Sequence, residues 1–309
     1  MYIDKVAVCS RSFSRHPILR KELLAIFPNA TFNESGRQLE GDELISFLRG
    51  HTKAITGLEP ITSSLLGALP DLKVISKYGV GTDMVDFSAL RHSGISFGWT
   101  GGVNKRSVSE LTLAFTIMML RHVPLANQEV VSGKWRQIMG SNLTNKTFGI
   151  IGCGNVGKDL IKLLKPFDCK ILVNDICEYP DFYSEYSVNK VSVNDLLAEA
   201  DVVSLHVPLD SSTFNLINED KFKLMKNTSV LINIARGGII DELALKHALM
   251  SGRIAGAAFD VFDNEPPQDF ELLRLPNFFA TPHIGGSSEE AVLAMGRAAI
   301  NGLTNNKIP

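Results

Sequence analysis

An α/β protein with parallel sheets in two domains is what the sequence predicts, on three observations. Short β-rich runs alternate with helical patterns along the whole chain. The strand candidates are continuous apolar runs rather than apolar/polar alternations, as strands covered on both faces must be. The chain has 309 residues, above the ~250–300 at which one hydrophobic core stops growing. With 45% hydrophobic and 21% charged residues, the composition is that of a globular chain, not of disorder, collagen or coiled coil.

In the first third the strand candidates are Val6–Cys9, Ala54–Thr56, Val74–Ser76 and Ile95–Phe97, separated by helical stretches such as Ile18–Phe27 and Asp42–Leu48. A stronger set follows: Thr147–Ile151, Ile171–Asp175, Val202–His206, Val230–Asn233, Ala257–Asp260 and Phe279–Thr281. Between the two sets lies the longest helix candidate. Ser107-x-x-Glu110 reads as a capping box, and the apolar run Leu111–Leu120 follows it until Pro124 stops the helix. That run is apolar nearly all round, so it belongs in a domain core or against another subunit. A second capping box, Ser287-x-x-Glu290, opens the last helix, which ends near Gly302. The polar tail Thr304–Pro309 is expected to fray.

Several function classes are excluded early. Thirty-one Lys+Arg balance thirty-three Asp+Glu, for a formal charge of −2, and no basic run marks a nucleic-acid face. The longest apolar stretch, Leu111–Leu120, covers about 15 Å as a helix, half of a ~30 Å hydrocarbon core. Val6–Cys9 is too short for a signal-peptide core, and Arg11, Arg15 and His16 follow it. Cys9, Cys153, Cys169 and Cys177 include no C-x-x-C and make no disulfide framework, which points to reduced thiols in the cytoplasm. The histidines His16, His51, His92, His122 and His247 share no metal-ligand spacing, so no metal site is expected.

The cofactor signal is Gly152-Cys153-Gly154-Asn155-Val156-Gly157, a G-x-G-x-x-G that follows the strand Thr147–Ile151 and opens a helical pattern to Leu164. Gly152 permits the tight turn, Gly154 lets the backbone approach a pyrophosphate, and Gly157 packs helix on strand. The N–H groups of the helix start meet the phosphate charge. The next strand ends in Asp175, eighteen residues beyond Gly157, where a carboxylate accepts from the adenosine ribose hydroxyls. It repels a 2′-phosphate, and Ile176 and Cys177 supply no positive charge, so NAD is expected over NADP.

Three further side chains follow apolar strands at their C-terminal ends, where open α/β sheets bind ligands: Arg236, Glu265 and His283. A guanidinium holds a carboxylate through two parallel hydrogen bonds. An imidazolium donates a proton to a carbonyl oxygen as hydride arrives, and a neighbouring carboxylate orients it and raises its pKa. These are the groups that hydride transfer to a 2-keto acid needs. Spacing alone does not bring the three together.

These residues stand in motifs that resemble the D-isomer-specific 2-hydroxyacid dehydrogenases of the phosphoglycerate-dehydrogenase-like group. The motifs are the glycine fingerprint, Leu205-His206-Val207-Pro208-Leu209, Asn233-Ile234-Ala235-Arg236-Gly237-Gly238, Asp260-x4-Glu265-Pro266 and Thr281-Pro282-His283-Ile284-Gly285-Gly286. The resemblance runs from Lys77-Tyr78-Gly79-Val80-Gly81 to the last helix. It implies that Arg236 binds substrate, Glu265 tunes His283, and His283 is the acid/base. It places Asn155 and Val156 at the pyrophosphate, Asp175 at the ribose, His206, Val207 and Pro208 beside the adenosine half, and Thr213 near the phosphates. Ile234 and Ala235 would lie along the nicotinamide, Asp260 at its carboxamide, and Gly285 and Gly286 at the cofactor. Gly79, Val80 and Gly81 would hold the substrate carboxylate through backbone N–H groups.

The implied architecture is two Rossmann-like domains: a flavodoxin-like substrate domain of about residues 1–100 plus 284–309, and an NAD-binding domain of 101–283. The active site would lie in the cleft, with hinge closure excluding water. The implied assembly is a homodimer built on Val108–Leu120 and the segment through Trp135, for which ordinary intrachain core is the alternative. Where phosphoglycerate dehydrogenases carry a basic residue, this chain reads Thr56-Gly57-Leu58-Glu59-Pro60. The expected substrate is therefore a small or medium 2-keto acid, with phosphohydroxypyruvate second. Lys77 and Arg136 are the candidate sources of positive charge near the site. The competing reading is an NADH-sensing binding protein like the dehydrogenase-fold corepressors, which carry the same motifs.

Overall fold

The computed structural model describes residues 4–309. The chain divides into two compact units, Met1–Asn104 with Glu289–Pro309, and Lys105–Ser288. The first is a five-stranded parallel sheet of β1 (Val6–Val8), β2 (Thr31–Phe32), β3 (Lys53–Thr56), β4 (Val74–Lys77) and β5 (Ser96–Gly98) in the order β2-β1-β3-β4-β5. This is the flavodoxin-like doubly wound order. The register pairs Ala7 with Ala54, Ala54 with Ile75 and Thr56 with Lys77. Ala7, Ala54 and Ile75 face one apolar cluster with Leu44, Leu48, Leu65 and Leu90 from the helices on that side. Val6, Val8 and Ile55 face the other, closed by Leu19 and Leu23 of helix Pro17–Ile26 and by Met295, Ala299 and Ile300 of helix Glu289–Gly302.

The second unit is a seven-stranded parallel sheet: β6 (Thr147–Ile151), β7 (Lys170–Asn174), β8 (Asn189–Lys190), β9 (Val202–Leu205), β10 (Val230–Asn233), β11 (Gly256–Phe259) and β12 (Phe278–Ala280). Its order, β12-β11-β10-β9-β6-β7-β8, is the dinucleotide-binding 3-2-1-4-5-6 arrangement with one more strand at the edge. The central strands β9, β10 and β11 are buried at every position, which is why they read as unbroken apolar runs.

Three sequence expectations need correction. The long helix is Lys105–Leu120, so Ser107 lies inside its first turn, and its hydroxyl donates to the Gly285 carbonyl at 2.7 Å rather than capping. Pro124 does not end that helix, which has already stopped at Leu120; it occupies the first turn of the next one, Val123–Val131, where its missing N–H costs nothing. The last helix begins at Glu289, so Ser287 stands two residues before it. Within the single chain, Lys105–Leu120 is buried along one stripe. Its inward stripe is Val108, Ser109, Thr112, Phe115, Thr116, Met119 and Leu120. The buried hydroxyls of Ser109, Thr112 and Thr116 donate to the carbonyls of Lys105, Val108 and Thr112 at 2.8 Å. Among the described residues, no helix is long and apolar enough to cross a membrane.

Candidate functional site

The order in which successive strands are added reverses at the neighbouring parallel strands β6 and β9, and the glycine-rich turn opens at that switch point. Gly152 follows β6 with φ +100°, and a Cβ there would meet the His206 carbonyl oxygen at 2.6 Å. Only glycine allows both the turn and the approach. At Gly157 a Cβ would overlap the Gly152 carbonyl, so helix Asn155–Leu164 sits hard against the turn. At Gly154 a Cβ would meet nothing within 4 Å: the helix N-terminus faces open space, and its first N–H groups have no intrahelical acceptor. The turn therefore fits a pyrophosphate.

Asp175 follows β7, and its Oδ2 accepts from Cys153 N–H at 2.5 Å while Oδ1 accepts from Cys177 N–H at 2.7 Å. The carboxylate thus braces the glycine-rich turn while keeping lone pairs for ribose hydroxyls. Burial pushes the Cys153 thiol up to about 11, so it is an un-ionised packing group. After β9, His206 keeps some exposed surface, yet its imidazole is desolvated enough to push its pKa down to about 4. Its Nε2 pairs with Ser204 Oγ at 2.9 Å. Val207 and Pro208 continue the loop, where Thr213 Oγ1 spends its proton on the Pro208 carbonyl at 2.7 Å. That hydroxyl retains only acceptor capacity toward anything else.

His283 and Glu265 come together: Nδ1 lies 2.8 Å from Glu265 Oε2. A carboxylate only accepts, so the proton sits on Nδ1 in the neutral ring, and Nε2 is the nitrogen left for chemistry. His283 adopts φ +56°, a conformation few non-glycine residues hold without surrounding restraint. The restraint is Asp260. Buried at the end of β11, its Oδ1 accepts from Thr281 Oγ1 at 2.5 Å and Ile284 N–H at 2.7 Å, and its Oδ2 accepts from Gly285 N–H at 2.7 Å. Its carbonyl takes the His283 N–H at 2.9 Å. Sequence reasoning gave Asp260 to the cofactor; its carboxylate is engaged by the His283 turn, and Gly285 is held by the same bonds. Gly286 follows in that turn, half-buried.

Arg236 follows β10 beyond the buried Ile234 and Ala235, and its Nη1 donates to the Ala235 carbonyl at 2.6 Å. Asn233 Nδ2 donates to the Arg236 carbonyl at 2.9 Å. Two acids that sequence reasoning missed tie this turn to the Glu265 loop. Asp263 accepts from Gly238 N–H, and Glu242 accepts from Asp263 N–H at 2.8 Å. Glu265 itself accepts from Phe262 N–H through Oε1 at 3.3 Å. Only the run of acids in Asp260–Glu265 hinted at such a network.

In the smaller unit, Gly79, Val80 and Gly81 form the loop after β4, half-buried. No hydrogen bond among the described residues uses their N–H groups. Glu59 is buried and turned inward, with Oε2 accepting from Gly57 N–H at 2.5 Å. Burial pushes its carboxyl up, against the bond from Gly57 and the charges of Lys77 and Arg11. It is neither a solvent-facing acid nor an exposed lining group. Leu58, at 57%, and Pro60 are the exposed side chains of that loop. Arg136 is paired with Glu129 through two bonds, at 2.6 and 3.1 Å. Among the described residues, no three His, Cys, Asp or Glu side chains are grouped to hold a metal ion.

The family model for the NAD binding domain of D-isomer specific 2-hydroxyacid dehydrogenases matches residues 113–285. A hydroxypyruvate reductase of Thermotoga maritima is 35% identical over 268 residues, 85% of this chain and 87% of that protein. A D-3-phosphoglycerate dehydrogenase of Archaeoglobus fulgidus is 36% identical over 248 residues, 79% of this chain but 47% of that protein. The chain thus spans about half the length of that relative. A crystal structure from Polaromonas sp. JS6 66, provisionally described as an NAD-binding D-isomer specific 2-hydroxyacid dehydrogenase, superposes with a TM-score of 0.90 at 27% identity, covering 99% of this chain and 100% of that one.

Proposed function

The chain belongs to the D-isomer specific 2-hydroxyacid dehydrogenase family, and on that premise we propose that it catalyses the reversible NADH-dependent reduction of a 2-keto acid to the D-2-hydroxy acid. When bound, the nicotinamide supplies the hydride. His283 Nε2 donates the proton to the carbonyl oxygen, and Glu265 holds the ring by its Nδ1–H and stabilises the imidazolium. Arg236 and the N–H groups of Gly79, Val80 and Gly81 hold the substrate carboxylate. The observation that carries this reading is the 2.8 Å pair of His283 Nδ1 with Glu265 Oε2, which leaves Nε2 for proton transfer.

Asp175 supports NAD over NADP, because its carboxylate stands where a 2′-phosphate would be and Ile176 and Cys177 bring no positive charge. The Thr56-Gly57-Leu58-Glu59-Pro60 segment supports a small or medium 2-keto acid over phosphohydroxypyruvate, since it carries no basic residue to pair with a phosphate. A homodimer is supported by helix Val123–Val131, which buries none of its residues, and by Val131, Trp135 and Met139, exposed at 80%, 87% and 92%. Trp135 is not intrachain core, and large apolar surfaces of this kind are normally covered by a partner.

The test is NADH consumption with glyoxylate, pyruvate, hydroxypyruvate, phenylpyruvate and phosphohydroxypyruvate, with His283→Ala as control. Turnover that disappears in the control, with opposed pH profiles for reduction and oxidation, is the expected result. Turnover that survives His283→Ala refutes the assignment.

A further inference from the structure

We propose that Lys77 and Trp99 are positioning residues for the substrate carboxylate, holding the carbonyl oxygens of Tyr78 and Val80 so that the N–H groups of Gly79 and Gly81 point toward the anion. The proposal rests on the reading of Gly79–Gly81 as the carboxylate-binding loop.

The geometry lies within the smaller unit. The ladder beyond β4 ends with Tyr78 N–H donating to the Thr56 carbonyl at 2.8 Å. The next three N–H groups have no acceptor among the described residues, although their residues are half-buried. Polar groups in such a place are normally paired, so three successive orphans mark a place for an acceptor from outside. Gly79 has φ +116°, which lets successive N–H groups converge into the concave arrangement that binds anions.

Two side chains fix the loop from behind. Lys77 Nζ donates to the Tyr78 carbonyl at 3.2 Å, and Trp99 Nε1 donates to the Val80 carbonyl at 3.0 Å. In a trans peptide the C=O and the following N–H point in opposite directions. Holding the carbonyls of 78 and 80 therefore orients the N–H groups of 79 and 81 the other way. Lys77 does more than clasp. It is buried, and its ammonium also donates to the Gly57 carbonyl at 2.5 Å, while Glu59 accepts from the Gly57 N–H. Gly57 is thus gripped from both sides by opposite charges, which ties the Gly57–Pro60 loop to the Tyr78–Gly81 loop. Trp99 is about half exposed and spends its one side-chain donor on this loop.

The experiment measures steady-state reduction of the preferred 2-keto acid by the wild type and by Trp99→Phe, Lys77→Met and Lys77→Arg, with the KM for NADH and the melting temperature recorded for each. Loss of a contact that holds the ground state and transition state alike raises KM and spares kcat. Trp99→Phe is expected to raise the keto-acid KM about fivefold, and Lys77→Met about tenfold or more. The KM for NADH should stay within about twofold, and Lys77→Arg should recover most of the loss by keeping charged donors on the carbonyls. Unchanged keto-acid KM in both Trp99→Phe and Lys77→Met overturns the proposal. So does a rise matched by the KM for NADH, or one that Lys77→Arg leaves in place. If Lys77→Met does not fold, Trp99→Phe decides, since it removes the N–H donor and keeps an aromatic side chain. A wild type that binds NADH but turns over no acid of the panel overturns the functional reading and this proposal with it; an active wild type with indifferent variants overturns this proposal alone.

Discussion

Replacing Asp260 by Asn changes one atom at a point where three donors converge, and the cost follows from which oxygen is lost. Oδ1 serves Thr281 Oγ1 and Ile284 N–H, and Oδ2 serves Gly285 N–H alone. The amide keeps its oxygen at the busier position, so its NH2 faces the Gly285 N–H and two donors meet. A buried N–H without an acceptor costs about 1–3 kcal/mol, and the two remaining bonds lose their charge assistance. The sum is about 3 kcal/mol, or roughly 6–12 °C in the melting of a unit of this size. Thr281→Val removes one donor and leaves the carboxylate with two, so it should cost about 1 kcal/mol. Calorimetry gives the stability of both variants, and initial rates of NADH oxidation give kcat. Asp260→Asn should lose both stability and kcat, because His283 at φ +56° depends on this turn. If Asp260→Asn melts within about 2 °C of the wild type with kcat intact, or if Thr281→Val costs as much, the anchoring argument fails.

Other predictions follow from single contacts. Asp175→Ala should raise the KM for NADH about tenfold and narrow the preference over NADPH, because it removes both the ribose acceptor and the brace on Cys153 N–H; kcat/KM for the two cofactors measures it. His206 titrates near 4 in the folded chain against an ordinary 6.5, so the unfolded state binds its proton first on acidification. Stability is then present above pH 6.5 and is lost as pH falls toward 4, by up to about 3 kcal/mol, and denaturant titrations should show a flatter acid limb in His206→Gln. The double substitution Trp135→Ser with Met139→Ser should shift the chain toward monomer in sedimentation, since it removes two of the most exposed apolar side chains; an unchanged mass places the interface elsewhere.

The central strands were legible because burial on both faces leaves no alternation to misread: Thr147–Ile151 and Val230–Asn233 coincide with β6 and β10. The edge strands β2 and β8 escaped because each is two residues long, and both residues of β8 are exposed, so no apolar run marks them. Ser107-x-x-Glu110 misled because a hydroxyl three residues before a glutamate carries no record of its partner, and the Gly285 carbonyl lies 178 positions away in sequence. The chemical types Arg236, Glu265 and His283 could be named from strand ends and motifs. The supports that hold them could not, because Asp260, Asp263 and Glu242 act on backbone N–H groups between 21 and 25 residues distant.

Those supports hold their loops in a way that differs from the Tyr78–Gly81 loop. In the cofactor unit, carboxylates consume backbone N–H groups: Asp175 takes Cys153 and Cys177, Asp260 takes Ile284 and Gly285, Asp263 takes Gly238, and Glu242 takes Asp263. Loops held this way present side chains, while the first N–H groups of helix Asn155–Leu164 have no intrahelical acceptor and are free to meet a pyrophosphate. In the Tyr78–Gly81 loop of the smaller unit the signs are reversed. Donors from Lys77 and Trp99 consume carbonyl oxygens, and the N–H groups of Gly79, Val80 and Gly81 are left over. A loop whose acceptors are taken and whose donors are not attracts anions without any side chain reaching them. On the reading proposed above, this backbone would contribute to holding the carboxylate of a 2-keto acid in addition to the Arg236 side chain, so Arg236 substitutions alone should not abolish anion binding.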